Sequence, residues 1–409
     1  MDRDIKYTVV IPSRNRQAYC ISAIKSIIRA NRQDIEVIVL DNSENTKLLP
    51  KLIKTNGFDK LDTQVTLVQS ENKCLSMADN WERALDFICG KWVLFIGDDD
   101  GCTQCTFDAF DHLTSYFKFL AFRWPVFYYK WPCFPGFDKG RLKLPLTVGT
   151  LNYYKSSSVL QRSSSWEGAK RWPMIGPSVY HGLVNTEIIR QGRDKYGKYF
   201  IGESVDYASG ILNATLLDGY MEYSFPLTVI GACGYSNTAA LTCTQLKSNG
   251  KSQAEECIDL MPVFDETLKN TQLSVPYVAY DFKVLFDQLG LDFKLTVDQF
   301  FECCINDLNG VRSQAIFESE KARLIMYAKK IGLNHHHLLS KTYKRYNAPL
   351  GPQGKDSSRY LTVDTSSLGY DGIERIYDIL PKIYTEYSWV KKNELAVFKN
   401  AMLNEKLSA

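Results

Sequence analysis

The 409-residue chain is short of several things. Its charge is nearly balanced, 49 Lys and Arg against 46 Asp and Glu for a formal +3. That leaves no electrostatic footprint for a nucleic-acid partner. It has no apolar run long enough to span a bilayer. Even its most aromatic stretch, 116–131, is interrupted by Lys118, Arg123 and Lys130. It has no regular cysteine framework: eleven cysteines is an odd number, and Cys102-Thr103-Gln104-Cys105 is followed by neither a second CxxC nor a suitably spaced histidine pair, so a zinc site is not expected. No glycine-rich loop follows the first apolar run, where the chain reads Pro12-Ser13-Arg14-Asn15-Arg16-Gln17. No internal repeat is present. The opening Met1-Asp2-Arg3-Asp4 is charged rather than leader-like, so free thiols in a reducing, cytoplasmic setting are expected.

What is there is an ordinary globular composition, 45% hydrophobic and 23% charged, long enough for two or three domains. The stretch Trp92-Val-Leu-Phe-Ile-Gly-Asp-Asp-Asp-Gly101 runs an apolar strand into three aspartates. Adjacent carboxylates repel and raise each other's pKa, and a hard divalent cation such as Mg²⁺ or Mn²⁺ relieves that repulsion while bridging to phosphates. A plain polar turn would also use Asp and Gly, so the rest of the chain has to decide.

Apolar runs at 7–12, 35–43, 65–70 and 91–97 read as buried strands. Helical patterns lie between them at 17–30, 46–55 (interrupted by Pro50) and 76–88. Alternation at this spacing predicts βαβ units and a mostly parallel sheet, which binds ligands beyond the carboxyl ends of its strands. Four polar clusters fall at those ends: Pro12-Ser13-Arg14-Asn15, Asp41-Asn42, Asn72 and Asp98–Asp100. That coincidence favours the phosphate-and-metal reading over the turn.

The alternation weakens after about residue 105. Residues 116–131 and 140–151 read as extended, and the Ser-rich 156–168 as a mobile loop. From about 250 the pattern is helical, at 252–270, 276–289, 297–308, 313–331, 371–387 and 389–405. The Pro-, Gly- and Ser-rich 346–370 reads as a loop or linker.

The first 240 residues resemble a family 2 glycosyltransferase of GT-A fold, an α/β domain with a Rossmann-like sheet flanked by helices. The resemblance is carried by Pro12-Ser13-Arg14-Asn15, by Asp41, by the segment 72–80 with Asn72, Ser76, Ala78 and Asn80 matching, and by the aspartate (DxD-type) motif. Cys74 stands where glycine is usual and Asp79 where arginine is usual, so a cation has become an anion. The implied layout is a catalytic domain over 1–245, with a nucleotide-binding half (1–105) and an acceptor half (106–245), followed by a helical domain over 246–409. The resemblance implies a nucleotide-sugar donor, a UDP-sugar, whose base, ribose and phosphates would meet Pro12, Ser13, Arg14, Asp41, Asn72, Ser76, Asn80, Asp98 and Asp99. It implies Mn²⁺ or Mg²⁺ on Asp98, Asp99 and Asp100, with the choice among the three left open. The base that deprotonates the acceptor hydroxyl would be Asp206, or Glu203 as substitute.

The segment Pro177–Val184 resembles one bacterial branch of the family, which nominates His181 for acceptor or phosphate contact. Trp131 and Trp172 are the aromatic candidates for sugar stacking. The implied activity is inverting transfer of a sugar onto a glycan or lipid-linked acceptor in surface polysaccharide (capsule or O-antigen) synthesis, at the cytoplasmic face of the inner membrane. The C-terminal helices are open to docking, acceptor binding or pairing two copies. Two rivals stand beside this reading. A sugar-nucleotide nucleotidyltransferase would call for the glycines that 12–17 lacks, and a non-catalytic glycan-binding scaffold would not call for an intact aspartate motif.

Overall fold

The computed structural model describes residues 4–60, 64–70, 75–145, 150–236, 263–344, 354–357, 360–366 and 372–376. The N-terminal part alternates as the hydrophobic pattern predicts: β1 (Tyr7–Ser13), α1 (Gln17–Ile28), β2 (Ile35–Asp41), α2 (Leu48–Thr55), β3 (Gln64–Gln69), α3 (Met77–Glu82) and β4 (Trp92–Phe95). Strands β1, β2 and β4 are buried at every position, the signature of a sheet covered on both faces. Helix α1 turns Ile21, Ile24 and Ile27 onto the sheet. Pro50 does not break α2, because it falls in the first turn, where its missing N–H has no helical partner. The predicted helix 76–88 ends at Glu82 and continues as a 3₁₀ turn, Arg83–Asp86.

The chain then builds β5 (Gly101–Cys102), α4 (Thr106–Tyr116), β6 (Ala121–Arg123), β7 (Val126–Lys130), β8 (Arg141–Pro145), β9 (Leu151–Lys155), α5 (Ser156–Ser165), β10 (Gly182–Asn185), α6 (Thr186–Tyr196), α7 (Val205–Leu216), β11 (Gly219–Tyr223) and β12 (Thr228–Ala232). Among the described residues the first sheet runs β3-β2-β1-β4-β10-β6-β11-β9. Strands β3, β2, β1 and β4 are parallel, β10 lies antiparallel between β4 and β6, and β9 closes the far edge antiparallel to β11. This is the mostly parallel α/β sheet flanked by helices that the sequence predicts.

Residues 156–168 are not a mobile loop. Helix α5 packs on α7 with Val159, Ser163 and Ser164 buried. The serine hydroxyls donate to nearby carbonyls, Ser164 to Gln161 at 2.8 Å and Ser163 to Met174 at 3.2 Å. Small side chains satisfied in this way permit close helix packing despite a loop-like composition.

Beyond 262 come α8 (Val275–Gln288), α9 (Val297–Leu308) and α10 (Gln314–Ile331), close to three predicted helices. Of the predicted helix 252–270, the described part holds only a 3₁₀ turn, Glu266–Leu268. The helix 389–405 and the boundary near 245 lie outside the described residues, as does all of 371–387 except 372–376. The apolar faces of α8–α10 share one core with the first sheet: Phe282, Phe300 and Leu324 belong to the cluster that holds Val10, Ile38, Phe95 and Ile211.

Within 346–370, read as a linker, the structure places β13 (Gly354–Ser357) and β14 (Tyr360–Asp364). They extend a second sheet, β13-β14-β8-β7-β12-β5. Alternation decides this: Val363 is buried in that sheet's core with Leu142, Leu144, Val229 and Ile373, while the flanking glycines and serines dominate the composition.

Candidate active site

Register builds the site. Ser13 pairs with Asp41, and Asp41 with Gln69, so β1, β2 and β3 end level. Val10 pairs with Phe95, and three residues further along each strand stand Ser13 and Asp98. Their side chains meet, Ser13 Oγ donating to Asp98 Oδ2 at 2.8 Å.

The three aspartates are buried and do not point the same way. Asp98 Oδ1 lies 2.7 Å from the guanidinium of Arg16. Asp99 Oδ1 faces the same guanidinium at 3.4 Å, and its Oδ2 accepts from the Cys233 amide at 3.0 Å. Asp100 turns to the other side. Its Oδ2 accepts from the Gly97 amide (2.6 Å) and the Tyr180 hydroxyl (2.7 Å) and lies 3.0 Å from His181 Nε2, while its Oδ1 accepts from the Gly231 amide (2.7 Å). A Cβ at Gly231 would collide with the Asp99 carbonyl, so β12 approaches this closely only because that residue is glycine.

The electrostatics follow. Burial pushes the Asp98 carboxyl up to about 7, with Arg16 pulling the other way. Asp99 is raised for the same reasons. Burial would raise Asp100 too, but His181, Tyr180 and the Gly231 amide outweigh it and hold its carboxyl below the usual range.

These positions decide how a divalent cation would fit. Among the described residues no three His, Cys, Asp or Glu side chains converge as a ligand set. Of the three aspartates among which the choice was left open, Asp100 has both oxygens engaged by four protein donors. Asp98 and Asp99 do fit: two buried carboxylate oxygens face one point, and a cationic group, the Arg16 guanidinium, already stands there.

His181 is set by the segment before β10, where the Phe95 amide donates to Val179 at 2.8 Å and the His181 amide to Phe95 at 3.1 Å. Its backbone is left-handed, φ +50°, a conformation uncommon outside glycine. Its Nδ1 lies 2.8 Å from Thr228 Oγ1 and its Nε2 faces Asp100. The ring is thus held on both nitrogens in the wall behind the aspartates.

Asp206 stands in the first turn of α7. It does not occupy the N-cap position, which belongs to Ser204. The residue keeps part of its surface accessible. Burial nevertheless pushes its carboxyl up to about 6, against the amides of Tyr207 and Asp206 that favour the ionised form. Tyr180 links it to the aspartates: burial first, then the charges of Asp100, Asp99 and Asp206 keep that phenol neutral and donating.

The other expected residues are placed as follows. Pro12 is buried at the end of β1. Arg14 has a buried Nε with no hydrogen-bond partner among the described residues. Asp41 is fully buried, Oδ1 accepting from the Ser43 amide at 3.1 Å and Oδ2 without a hydrogen-bond partner among the described residues. Ser76 caps α3, its Oγ accepting from the Asp79 amide at 3.1 Å. Asn80 Oδ1 accepts from Arg83 at 2.6 Å. Asn72 lies outside the described residues.

Glu203 accepts the Met77 amide at 2.7 Å, so its carboxylate is engaged at the start of α3. Glu203 lines a cleft of about 650 Å³ with Ser76, Asp79, Tyr196 and Lys198. Asp79 is neutralised there by Lys198 at 2.7 Å. Trp172 is 42% exposed, under the Arg171 guanidinium, and its indole N–H donates to Ser274 Oγ at 3.0 Å. Trp131 is not a stacking surface: it is buried, edge-on to Tyr19 and Tyr129, and its indole N–H donates to the Asp99 carbonyl at 3.1 Å. Sequence reasoning missed Arg16, Tyr180 and the amides of Gly231 and Cys233. Arg16 was in view, two residues beyond Arg14, whereas backbone donors 130 residues away leave no local signal.

Residues 8–114 match the family model described as glycosyl transferase family 2. This part of the chain is similar to family 2 glycosyltransferase domains. The aspartate motif lies inside the match, and Asp206 beyond it. A Campylobacter jejuni protein named GalNAc(5)-diNAcBac-PP-undecaprenol beta-1,3-glucosyltransferase is 32% identical over 97 residues, 23% of this chain and 30% of that one. The amylovoran biosynthesis glycosyltransferase AmsB of Erwinia amylovora is 28% identical over 99 residues, 24% of this chain and 32% of its own. The chain thus spans about a third or less of the curated relatives it matches. Among solved structures, S. aureus TarS 1-349 in complex with UDP-GlcNAc aligns over 88% of this chain and 100% of that chain at 12% identity, with a TM-score of 0.44. Among the described residues no helix is long and apolar enough to cross a membrane.

Proposed function

We propose that the chain is an inverting glycosyltransferase, taking a sugar from a UDP-sugar onto a glycan or lipid-linked acceptor in surface polysaccharide synthesis at the cytoplasmic face of the membrane. The observation that carries this is Asp206: a partly accessible residue whose carboxyl burial raises to about 6, and whose charge acts on Tyr180 together with those of Asp100 and Asp99. A carboxylate poised near neutrality is suited to take a proton from a hydroxyl. Asp206 accepts the acceptor's O–H proton as that oxygen bonds to the anomeric carbon, and the bond from that carbon to the nucleoside diphosphate breaks. Attack from the face opposite the leaving group inverts the centre.

The leaving diphosphate gathers negative charge, which a divalent cation held by Asp98 and Asp99 neutralises when bound. The Oδ2 of Asp41, unpartnered among the described residues, is an acceptor matched to an imide N–H such as that of uracil, and the Nε of Arg14, likewise unpartnered there, is a donor for the same ligand. The acceptor class and pathway rest on the two relatives, whose names carry an undecaprenol-linked glycan and a polysaccharide.

The test is a calorimetric titration with UDP-, GDP- and CDP-sugars, with and without Mn²⁺, followed by assay for sugar release. A UDP-sugar is expected to bind and to be slowly hydrolysed. Binding by none of them, or release of pyrophosphate from a nucleoside triphosphate, overturns the reading.

A further inference from the structure

Arg16 does two things. Its backbone begins α1, its carbonyl accepting from the Tyr19 and Cys20 amides at 3.0 and 3.3 Å, and its side chain makes no cap there. The side chain instead turns inward and lies between the carboxylates of Asp98 and Asp99. Asp98 is sealed, its side chain 0% exposed, whereas that of Arg16 is 19% exposed. The Asp99 side chain is 6% exposed, so the Arg16 side chain is the most accessible member of this ion-pair group. Its grip is uneven: Asp98 Oδ1 meets it by charge, at 2.7 Å, without forming an aligned hydrogen bond. Such an oxygen gains from a better-matched cation. One guanidinium brings a single charge to two carboxylates, and a guanidinium and a metal ion cannot both stand between them.

We propose that Arg16 is an internal counter-cation that closes the Asp98–Asp99 pair and leaves when a divalent ion arrives with the donor's diphosphate. This deepens the reading above and rests on its metal site. In the empty enzyme Arg16 offsets the repulsion between the two carboxylates and competes with free metal. The diphosphate offers the displaced guanidinium a new anionic partner, because arginine matches phosphate as it matches carboxylate. Free Mn²⁺ is thus kept out until a nucleotide is present. Arg16 is here a gating residue and takes no part in the proton transfer.

The test measures free Mn²⁺ by electron paramagnetic resonance during titration of the full chain, with UDP as nucleotide probe. Arg16→Gln is expected to bind Mn²⁺ alone at least about tenfold more tightly than wild type, a modest share of what a fixed charge at contact distance is worth. It is also expected to lose most of the enhancement by UDP beyond that of the Mn–UDP chelate itself, which a metal–UDP titration without protein provides. Arg16→Lys keeps the charge but not the fork, and its Mn²⁺ affinity is expected to lie between the two. Should Arg16→Gln fail to fold, shown by circular dichroism, Arg16→Lys decides alone, and wild-type affinity in it overturns the proposal. Equal Mn²⁺ affinity in wild type and Arg16→Gln overturns this proposal and leaves the glycosyltransferase reading standing. No Mn²⁺ uptake by any of the proteins, with or without UDP, overturns it together with the metal site.

Discussion

Asp206→Asn separates catalysis from stability, because the two move in opposite directions. The substitution keeps the shape but removes the proton acceptor, so turnover should fall by roughly 10²–10⁴, the usual worth of a positioned general base. Nucleotide-sugar affinity should change little, because Asp206 lies outside the aspartate cluster. Stability should rise. Burial lifts the Asp206 carboxyl from its ordinary 3.8 to about 6. The folded protein therefore holds this proton more tightly than the unfolded chain does, and above pH 6 the buried carboxylate works against folding. At 1.36 kcal/mol per pH unit the full effect is roughly 3 kcal/mol, and solvent access reduces it to about 1–2 kcal/mol. The penalty fades as pH falls from about 6 through about 4, where both states are protonated.

Wild type minus Asp206→Asn should accordingly show a stability gap at pH 7.5 that closes near pH 4, by urea unfolding. Wild-type single-turnover transfer should fall about tenfold between pH 7 and pH 5, following the ionised fraction of a group with a pKa of about 6. Near-normal turnover in Asp206→Asn refutes the base assignment and moves it to Glu203. An equal loss of donor affinity and rate would instead place Asp206 among the groups that hold the donor.

Asp100→Asn should destabilise by about 3–5 kcal/mol in urea, because one carboxylate serves Gly97, Tyr180, His181 and Gly231 and an amide cannot accept from all of them; a loss below about 1 kcal/mol refutes its anchoring role. Ile373→Ala, fully buried against β5 and the second sheet, should destabilise by about 2–5 kcal/mol, and an unchanged melting temperature would show that the C-terminal segment is not part of the folded unit.

The first half of the fold was readable because its strands are mostly apolar and its helices keep a 3.6-residue period, which together point to a covered parallel sheet. The rim residues followed from where those runs stop. The Ser-rich α5 was hidden by composition, since serine reads as loop until its hydroxyls find carbonyls. Strand β14 was hidden by its glycine- and serine-rich flanks. Within the site, Asp98 could be read from the motif, but the division of labour between Asp98–Asp99 and Asp100 could not. It depends on amides at Gly231 and Cys233 and on the turn that carries Tyr180, all fixed by tertiary contacts.

Those distant amides also bear on how the protein is made. The aspartates have been synthesised by residue 100, yet two of their backbone donors belong to residues 231 and 233. Gly231 lies in β12 of the second sheet, which β13 and β14 widen, and Arg29 of the first helical segment donates to the carbonyl of Glu374 at 2.7 Å. On the ribosome, three adjacent carboxylates must therefore wait for about 130 further residues to emerge before those amides exist. During that interval Ser13 and Arg16 are the neighbours already at hand, so the earliest-made loop is the one able to quiet the charge while the remainder is translated.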